Sequence, residues 1–340
     1  MKVLSFIIPA YNSANFLDKC LHSMLLPEVL DKLEILIIND GSTDTTAEIS
    51  KKYQDKYPGT VRLISQRNKG HGGTLNTGCA AASGKYLKAV DADDWVYSES
   101  LPEFVRLLEQ CESDVVLTHY HTINIKSGQT KNWCCHPKTF GRLYTLEEIL
   151  ADWRSFNWNL VYHGITYRRD FYQLHASLLP ENIFYEDYEF ATFPCCQAAS
   201  LICFDLFLYE YRIGDVNQSM AASNQLKRIE QIETVIRRML KNYQGIVGKY
   251  SKLYAAQKTH ELVLSYLTVA LLINPDKKVG RLQAKRMIYD YIAPIPEIYA
   301  LVNFKYRVFL IMNHLGLSKQ IWDRIIESPI YKYVHGKKIN

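Results

Sequence analysis

The chain has 340 residues, a formal net charge of +5, 48% hydrophobic residues and 22% charged residues. This length exceeds what one hydrophobic core usually supports, so we expect two structural units. The composition is that of a globular protein and excludes a disordered chain. The mild positive charge permits an anionic partner but does not require one.

No segment has the pattern of a signal peptide or of a membrane-spanning helix. The apolar run Leu4–Ala10 is short and lacks a small-residue cleavage site, which indicates a buried strand. The later apolar stretches, at 262–273 and 308–312, fall short of the roughly 20 residues that cross a bilayer. The eight cysteines lack zinc-site spacing, and without an export signal we expect reduced, mostly buried thiols in a cytoplasmic protein.

Strands and helices alternate over the first hundred residues. Apolar runs predict four strands, at Val3–Ile8, Leu33–Ile38, Val61–Ile64 and Lys85–Val90. Helical spacing fills the intervening segments, at 14–26, 44–57 and 72–82. This alternation predicts an α/β fold, with a mainly parallel sheet flanked by helices.

The pattern changes along the rest of the chain. Helices mix with short aromatic strands up to about residue 211, including strands at Val115–Thr118 and Leu143–Tyr144. From about Gln225 the apolar spacing is helical, and the polar stretch Asn217–Asn224 is the predicted linker. We therefore expect one domain at 1–220 and a helical region at 221–340.

Polar residues follow three of the four predicted strands. In parallel sheets, ligands bind beyond the carboxyl ends of the strands. Those ends carry the segments Pro9–Asn12, Asn39–Ser42 and Asp91–Asp94. Three carboxylates within four residues repel one another unless a cation neutralises them, and Asp91 and Asp93 offer the oxygen ligands that suit Mg²⁺ or Mn²⁺ bound with phosphate. The alternative is a solvated acidic turn.

With these motifs, the chain resembles glycosyltransferase family 2. Members of that family have the GT-A fold, a Rossmann-like sheet, and are inverting transferases that use nucleotide diphosphate sugars. The matching segments, in family order, are Ser5–Asn12, Asn39–Asp44, Arg67–Gly70 followed by Asn76 and Gly78, Asp91–Asp94, Glu186-Asp187, Tyr209–Arg212, and Gln218-Ser219. The resemblance covers about residues 1–220, and implies that 1–100 bind the nucleotide sugar while 101–220 carry the acceptor side and the catalytic base.

The resemblance implies a donor pocket at the carboxyl ends of the strands. Its expected members are Pro9, Tyr11, Asn12, Asp40, Gly41, Ser42, Arg67, Gly73, Asp91, Ala92 and Asp93. Asp40 would accept a hydrogen bond from the base, which favours a UDP-sugar; the alternative for Asp40 is an Asx-turn or a helix cap. Asp93 would be the main ligand of Mn²⁺ or Mg²⁺, with support from Asp91.

One position departs from the family pattern. Members often have arginine where this chain has Leu75, so a cation expected near the diphosphate is missing. Lys69, His71 or the backbone N–H groups of the glycine-rich turn at 70–73 are the candidates for replacing it.

The resemblance places the general base at Glu186-Asp187. We expect Asp187 to take the proton of an acceptor hydroxyl while Glu186 assists; the alternative is an acidic pair at a helix N-terminus. Trp95, Trp158 and His163 are candidate acceptor contacts, because aromatic faces stack on sugar rings. Each of these three is also consistent with an ordinary packing role.

The last sixty residues combine basic and aromatic side chains. The basic ones are Lys277, Lys278, Arg281, Lys285, Arg286, Lys305, Arg307, Lys332, Lys337 and Lys338. This composition suits an anionic membrane surface, and a solvated helical domain or a homo-oligomer surface are the alternatives. The low net charge argues against a nucleic-acid partner.

The expected function is therefore transfer of a sugar from a nucleotide sugar to a glycan or lipid-linked glycan. By resemblance, the pathway would be bacterial surface polysaccharide biosynthesis, at the inner face of the cell membrane. A sugar-nucleotide nucleotidyltransferase and a non-catalytic nucleotide- or nucleic-acid-binding protein are the rival interpretations. The first would need a Gly-rich basic loop after the first strand, where this chain has Pro9–Ser13.

Overall fold

The structure is a computed structural model of the chain, and it describes residues 1–215 and 222–327. These residues form two compact units, one of 1–215 and Ile246–Tyr254, the other of 222–245 and 255–327. Residues 217–221 of the predicted linker lie outside the described residues. Its last three residues belong to a helix that begins at Ala222. Gln218, Ser219, Lys332, Lys337 and Lys338 also lie outside the described residues.

One ten-stranded sheet forms the centre of the first unit. Its strands, in chain order, are β1 (Leu4–Ala10), β2 (Leu33–Asn39), β3 (Val61–Ser65), β4 (Tyr86–Ala89), β5 (Trp95–Val96), β6 (Val115–Asn124), β7 (Thr130–Trp133), β8 (Leu143–Tyr144), β9 (Ile165–Arg168) and β10 (Leu201–Ile213). The order across the sheet is β3-β2-β1-β4-β9-β6-β10-β5, with β7 on β6 and β8 on β10. Strands β3, β2, β1 and β4 are parallel, and β9 is antiparallel to both of its neighbours.

Helices and turns connect these strands. The helices of this part are α1 (Leu17–His22), α2 (Thr46–Lys56), α3 (Gly70–Ala81), α4 (Leu101–Gln110), α5 (Leu146–Ala151), α6 (Trp153–Phe156), α7 (Arg169–His175) and α8 (Asp187–Gln197), with one 3₁₀ turn at Ser98–Ser100. Every residue of β1, β2 and β4 is buried, as the apolar runs predicted. The predicted α/β fold class, with a mainly parallel sheet flanked by helices, is confirmed.

Two predicted elements differ in length from the observed ones. The helix expected at 14–26 spans only Leu17–His22. Its N-cap residue Phe16 makes no side-chain capping bond, and Pro27 disfavours helical backbone at Leu26, the last residue of the predicted helix. The strand expected at Val115–Thr118 continues to Asn124, since β6 pairs with the 13-residue strand β10 over its whole length.

The second unit is helical. Its helices are α9 (Ala222–Lys227), α10 (Ile229–Gly245), α11 (Lys249–Thr268, whose first six residues are counted with the first unit), α12 (Lys277–Arg286), α13 (Pro296–His314) and α14 (Lys319–Glu327), with π-helical segments at Val269–Ile273 and Met287–Ile292. The apolar stretch at 262–273 lies in the last turns of α11 and in the π-helical segment that follows it. No helix among the described residues combines the length and the apolar character needed to cross a membrane.

Close packing of α3 on the sheet fixes the loops that precede and follow this helix. A Cβ atom on Gly78 would lie 2.3 Å from Cγ2 of the buried Ile7 side chain. We expect Gly78→Ala to lower the free energy of unfolding by about 1–3 kcal/mol, measured by urea denaturation, because α3 must shift away from β1. Gly59→Ala is the control, since nothing lies within 4 Å of its added methyl group. Equal stability of the two variants would contradict this packing.

Candidate active site

The turns that follow β1 and β2 are joined by hydrogen bonds. The Asn12 backbone N–H donates to Ser42 Oγ at 3.0 Å, and Asn12 Oδ1 accepts from the Thr43 N–H at 2.8 Å. Asn12 and Gly41 both have positive φ, +50° and +73°, which lets the chain turn sharply at each point. Tyr11 is left half-exposed beside these turns. Of the expected donor-pocket residues, this part of the sheet edge brings Tyr11, Asn12, Gly41 and Ser42 together.

Asp40 is held by donors of the chain itself. Its carboxylate is 2% exposed, and its oxygens accept from Gln66 Nε2 at 2.7 Å, from the Lys69 N–H at 2.9 Å and from the Gly70 N–H at 2.8 Å. Two of these donors lie at the start of α3, which resembles the helix cap given above as the alternative. A carboxylate has about four acceptor sites, so the predicted bond to a base stays a prediction.

The glycine-rich segment forms the first turn of α3, so its backbone N–H groups lie at a helix N-terminus. Gly73 is buried there, and a Cβ atom on it would meet Lys69 Cβ at 2.4 Å. Lys69 itself pairs with Glu181 at 3.1 Å, and Leu75 is buried in the core. Arg67 is exposed just before the helix. Leu75 carries no charge, and the charge of Lys69 is paired with Glu181. Neither side chain thus offers a free positive charge to a diphosphate.

The acidic motif after β4 is a cluster of crowded carboxylates. Asp91, Asp93 and Asp94 each offer one oxygen, and these three atoms lie within 4.8 Å of one another. Among the described residues, this is the one group of three or more potential ligands close enough to share a metal ion. Ala92 between them is buried, as is Asp94, whereas Asp91 and Asp93 are only partly buried.

The three carboxylates are not equivalent. Asp94 is buried and accepts from the Tyr209 hydroxyl at 2.6 Å and from the Arg212 N–H at 2.7 Å, so it ties this turn to β10. Burial and the charge of Asp91 raise the pKa of Asp93 to about 6, against a weaker opposing effect of Arg212, whose Nη1 lies 3.5 Å from Asp93 Oδ2. A divalent cation would relieve this repulsion, and an all-oxygen ligand set fits Mg²⁺ or Mn²⁺.

His71 bridges the acidic cluster and the predicted base pair. Its Nε2 lies 2.9 Å from Asp91 Oδ1, and its Nδ1 lies 2.5 Å from Glu186 Oε1. Burial lowers the pKa of His71, but the two carboxylates outweigh burial and hold the pKa well above its usual value. The Tyr162 hydroxyl donates to the same Asp91 oxygen at 2.8 Å. The sequence analysis offered His71 as a phosphate cation and did not identify Tyr162, because both contacts depend on residues distant in the chain.

Glu186 and Asp187 have separate environments. Glu186 is buried and its carboxylate contacts His71, whereas Asp187 is the first residue of α8 and is only partly buried. Burial, together with the charge of Glu186, raises the pKa of Asp187 to about 7. A carboxylate with a pKa near neutrality is a suitable proton acceptor at neutral pH. The pKa of Asp187 therefore suits the predicted role, and the role itself stays a prediction.

The three candidate acceptor residues do not share one environment. The His163 ring stacks on Tyr211 with centroids 4.1 Å apart, and burial lowers the pKa of His163 to about 4, which keeps it neutral. Trp158 is exposed and contacts Trp133 at 4.9 Å. Trp95 instead carries the Lys19 ammonium 3.0 Å from its ring centroid, so that ring face does not stack on a sugar.

Sequence comparisons find glycosyltransferases among the relatives of this chain. Over 172 residues the chain is 36% identical to the uncharacterised glycosyltransferase YibD of Escherichia coli (strain K12), which covers 49% of this chain and 48% of YibD. It is 28% identical over 255 residues to the uncharacterised glycosyltransferase EpsJ of Bacillus subtilis (strain 168), covering 73% of this chain and 70% of EpsJ. The chain thus matches only about half of YibD.

The fold has a close counterpart among solved structures. Residues 1–349 of TarS from S. aureus, in a crystal structure with UDP-GlcNAc, superpose with a TM-score of 0.64 at 19% identity, covering 93% of each chain. This likeness confirms the GT-A fold. The family model for glycosyl transferase family 2 matches residues 5–175, which include the turns after β1 and β2, the acidic cluster and His163. By this match over half of its length, the chain belongs to glycosyltransferase family 2.

Proposed function

We propose that the chain is an inverting glycosyltransferase, which moves a sugar from a nucleotide diphosphate sugar to a glycan or lipid-linked glycan in bacterial surface polysaccharide biosynthesis. The observation that carries this proposal is the His71 bridge. It holds the acidic cluster, where a leaving diphosphate needs a cation, in one network with the segment that carries Asp187. A sugar transferase needs these two functions on opposite sides of one sugar ring.

On the donor side, Asp93 would be the main ligand of Mn²⁺ or Mg²⁺, with Asp91 beside it. The bound ion would stabilise the negative charge that develops on the leaving nucleotide. Arg212 lies 3.5 Å from Asp93 and is well placed to supply the positive charge that Leu75 does not provide. Its guanidinium also pairs with Asp215 at 2.8 Å, which orients the side chain along this edge.

The nucleoside would lie against the interlocked turns after β1 and β2. Pro9, Tyr11 and Asn12 would form one side of this pocket and Gly41 and Ser42 the other, with the exposed Arg67 just before α3. The preference for a UDP-sugar is supported by the family resemblance and by TarS, whose crystal structure contains UDP-GlcNAc. Asp40, which is held by Gln66 and the start of α3, would use its remaining acceptor site for the base.

On the acceptor side, Asp187 would accept the proton of the attacking hydroxyl. The hydroxyl attacks the anomeric carbon from the face opposite the diphosphate, so the configuration at that carbon inverts. Glu186 stays bound to His71 and, through its charge, helps to keep the pKa of Asp187 near neutrality.

The helical unit has the properties of a surface that meets an anionic membrane. Its described residues carry 15 lysines and arginines against 8 aspartates and glutamates, whereas residues 1–215 and 246–254 carry 22 against 27. Positive charge is therefore concentrated on this unit. Its exposed apolar side chains include Leu282, Phe304, Ile311 and Leu315. Apolar side chains among basic residues bind the interface of an anionic bilayer, so we place the enzyme at the cytoplasmic face of the cell membrane.

Donor binding is tested by thermal shift with a panel of UDP-, GDP- and dTDP-sugars, with and without Mn²⁺. We expect stabilisation by UDP compounds that requires the metal, and at least about tenfold weaker Mn²⁺ binding in Asp93→Asn, because one ligand oxygen loses its charge. Asp55→Asn is the control, since Asp55 is an exposed carboxylate in α2 that pairs with Lys51. Stabilisation by UDP that persists unchanged in EDTA would contradict the metal site.

The base is tested by Asp187→Asn. We expect kcat to fall by about 10²–10⁴-fold with donor affinity retained, because the amide cannot accept the proton. In the wild type, kcat/KM should fall about tenfold per pH unit below about pH 7, as Asp187 becomes protonated. Glu181→Gln, an exposed acid in the segment before α8, is the control. Full transfer by Asp187→Asn would assign the base elsewhere.

Membrane contact is tested by co-sedimentation with phosphatidylglycerol and phosphatidylcholine vesicles. We expect binding to the anionic vesicles only, and about tenfold weaker binding of the double variant Leu282→Ser, Phe304→Ser, which removes apolar area from the helical unit. Leu174→Ser is the control, because Leu174 is 77% exposed on the first unit. Equal sedimentation with both lipids, or self-association in place of vesicle binding, would refute the membrane assignment.

A further inference from the structure

Five aromatic rings form a continuous series in the first unit, and we call it the aromatic track. Its members, from the surface inward, are Trp158, Trp133, Tyr120, His163 and Tyr211. Successive ring centroids are 4.9, 5.9, 5.3 and 4.1 Å apart. Trp158 at the outer end is 53% exposed, so core packing does not account for its indole ring.

The inner end of the track reaches the candidate active site. His163 follows Tyr162, whose hydroxyl donates to Asp91, and the two rings are 5.6 Å apart. The buried Lys88 donates to the carbonyl oxygens of His163 at 2.8 Å and Ile165 at 3.1 Å, which holds this end of the track on β4. Three successive ring contacts therefore separate Trp158 from His163. One to three sugar rings can span this separation.

The middle of the track is fixed by hydrogen bonds. Asn159, which is fully buried, donates through Nδ2 to the carbonyl oxygens of Thr118 at 2.8 Å and Trp133 at 3.0 Å. Trp133 Nε1 donates to Thr122 Oγ1 at 3.2 Å, and its ring is stacked on Tyr120 at an interplanar angle of 9°. Trp158 is the most exposed ring of the track, and the rigid support beneath it lowers the entropic cost of binding there.

We propose that Trp158 is a remote acceptor subsite, which stacks on a sugar unit that precedes the one receiving the transferred sugar. The acceptor is then a chain of at least two sugars and not a single monosaccharide. The apolar C–H faces of pyranose rings stack on exposed aromatic rings. A sugar chain that leaves the catalytic centre along the track meets Trp158, whereas a monosaccharide at His163 does not. This inference rests on the proposed function, because it assigns the acceptor of the same site.

The test compares acceptor chain length in the wild type and in Trp158 variants. The probes are N-acetylglucosamine with its β-1,4-linked dimer and tetramer, and glucose with cellobiose and cellotetraose, each titrated by calorimetry in the presence of UDP and Mn²⁺. In at least one series, we expect the wild type to bind the tetramer about tenfold more tightly than the monosaccharide. Trp158→Ala should lose this difference, while Trp158→Phe should retain most of it.

Two controls separate this inference from the proposed function. Leu174→Ala removes another exposed apolar side chain and should keep the length dependence. Binding of UDP with Mn²⁺ depends on the proposed donor site alone, so its affinity should be equal in all variants. If the wild type does not bind UDP, the proposed function itself is refuted. If UDP binds but neither series shows a length dependence, or if Trp158→Ala preserves it, the remote subsite is refuted while the proposed function stands.

Discussion

Five carboxylates converge on one edge of this sheet, and their mutual repulsion is the constraint around which the site is organised. His71 offsets the charges of Asp91 and Glu186, and Tyr209 with the Arg212 backbone satisfies Asp94. Burial and neighbouring charges raise the pKa of Asp93 to about 6 and that of Asp187 to about 7. Burial, with the charges of Asp91 and Asp93, also raises the pKa of Asp94, whose two hydrogen bonds only partly offset this effect. A raised pKa marks a carboxylate whose charge the protein does not fully compensate. In the proposed reaction, Asp93 would receive positive charge from a metal ion and Asp187 from a proton.

The arrangement of residues 1–100, the part proposed to bind the donor, could be predicted from local sequence. Its strands are continuous apolar runs buried on both faces, and parallel pairing of β1 with β2 and β4 brings their carboxyl ends to one edge. Any short motif directly after such a strand must therefore lie at that edge. Asp91 and Asp93 lie at the end of β4 for this reason. A strand end fixes a residue's position but not which donors its side chain meets, as the contacts of Asp40 with Gln66 and α3 illustrate.

The contacts of residues 101–220, the part proposed to bind the acceptor, could not be predicted in the same way. Strand β9 inserts antiparallel between β4 and β6, and it brings Tyr162 and His163 to the end of β4 from more than seventy residues away. No local pattern around Tyr162 distinguishes it from other aromatic residues of this tyrosine-rich chain. The contact of His71 with Glu186, across 115 positions, likewise exists only because α3 and the segment before α8 pack together. Gly72 permits that approach, because a Cβ atom there would lie 2.3 Å from the Pro180 carbonyl oxygen.

The same topology explains how His71 can contact both Asp91, in the acidic cluster, and Glu186, in the segment before α8. The end of β4 lies between the donor turns on one side and β9 on the other, so the acidic cluster is the boundary of the two parts. A protonated imidazole at this boundary holds Asp91 and Glu186 through directional bonds, whereas a lysine would offer a point charge with a flexible stem. Arg212, on β10, brings its guanidinium within 3.5 Å of Asp93, so positive charge beside Asp93 does not depend on α3, where Leu75 is buried.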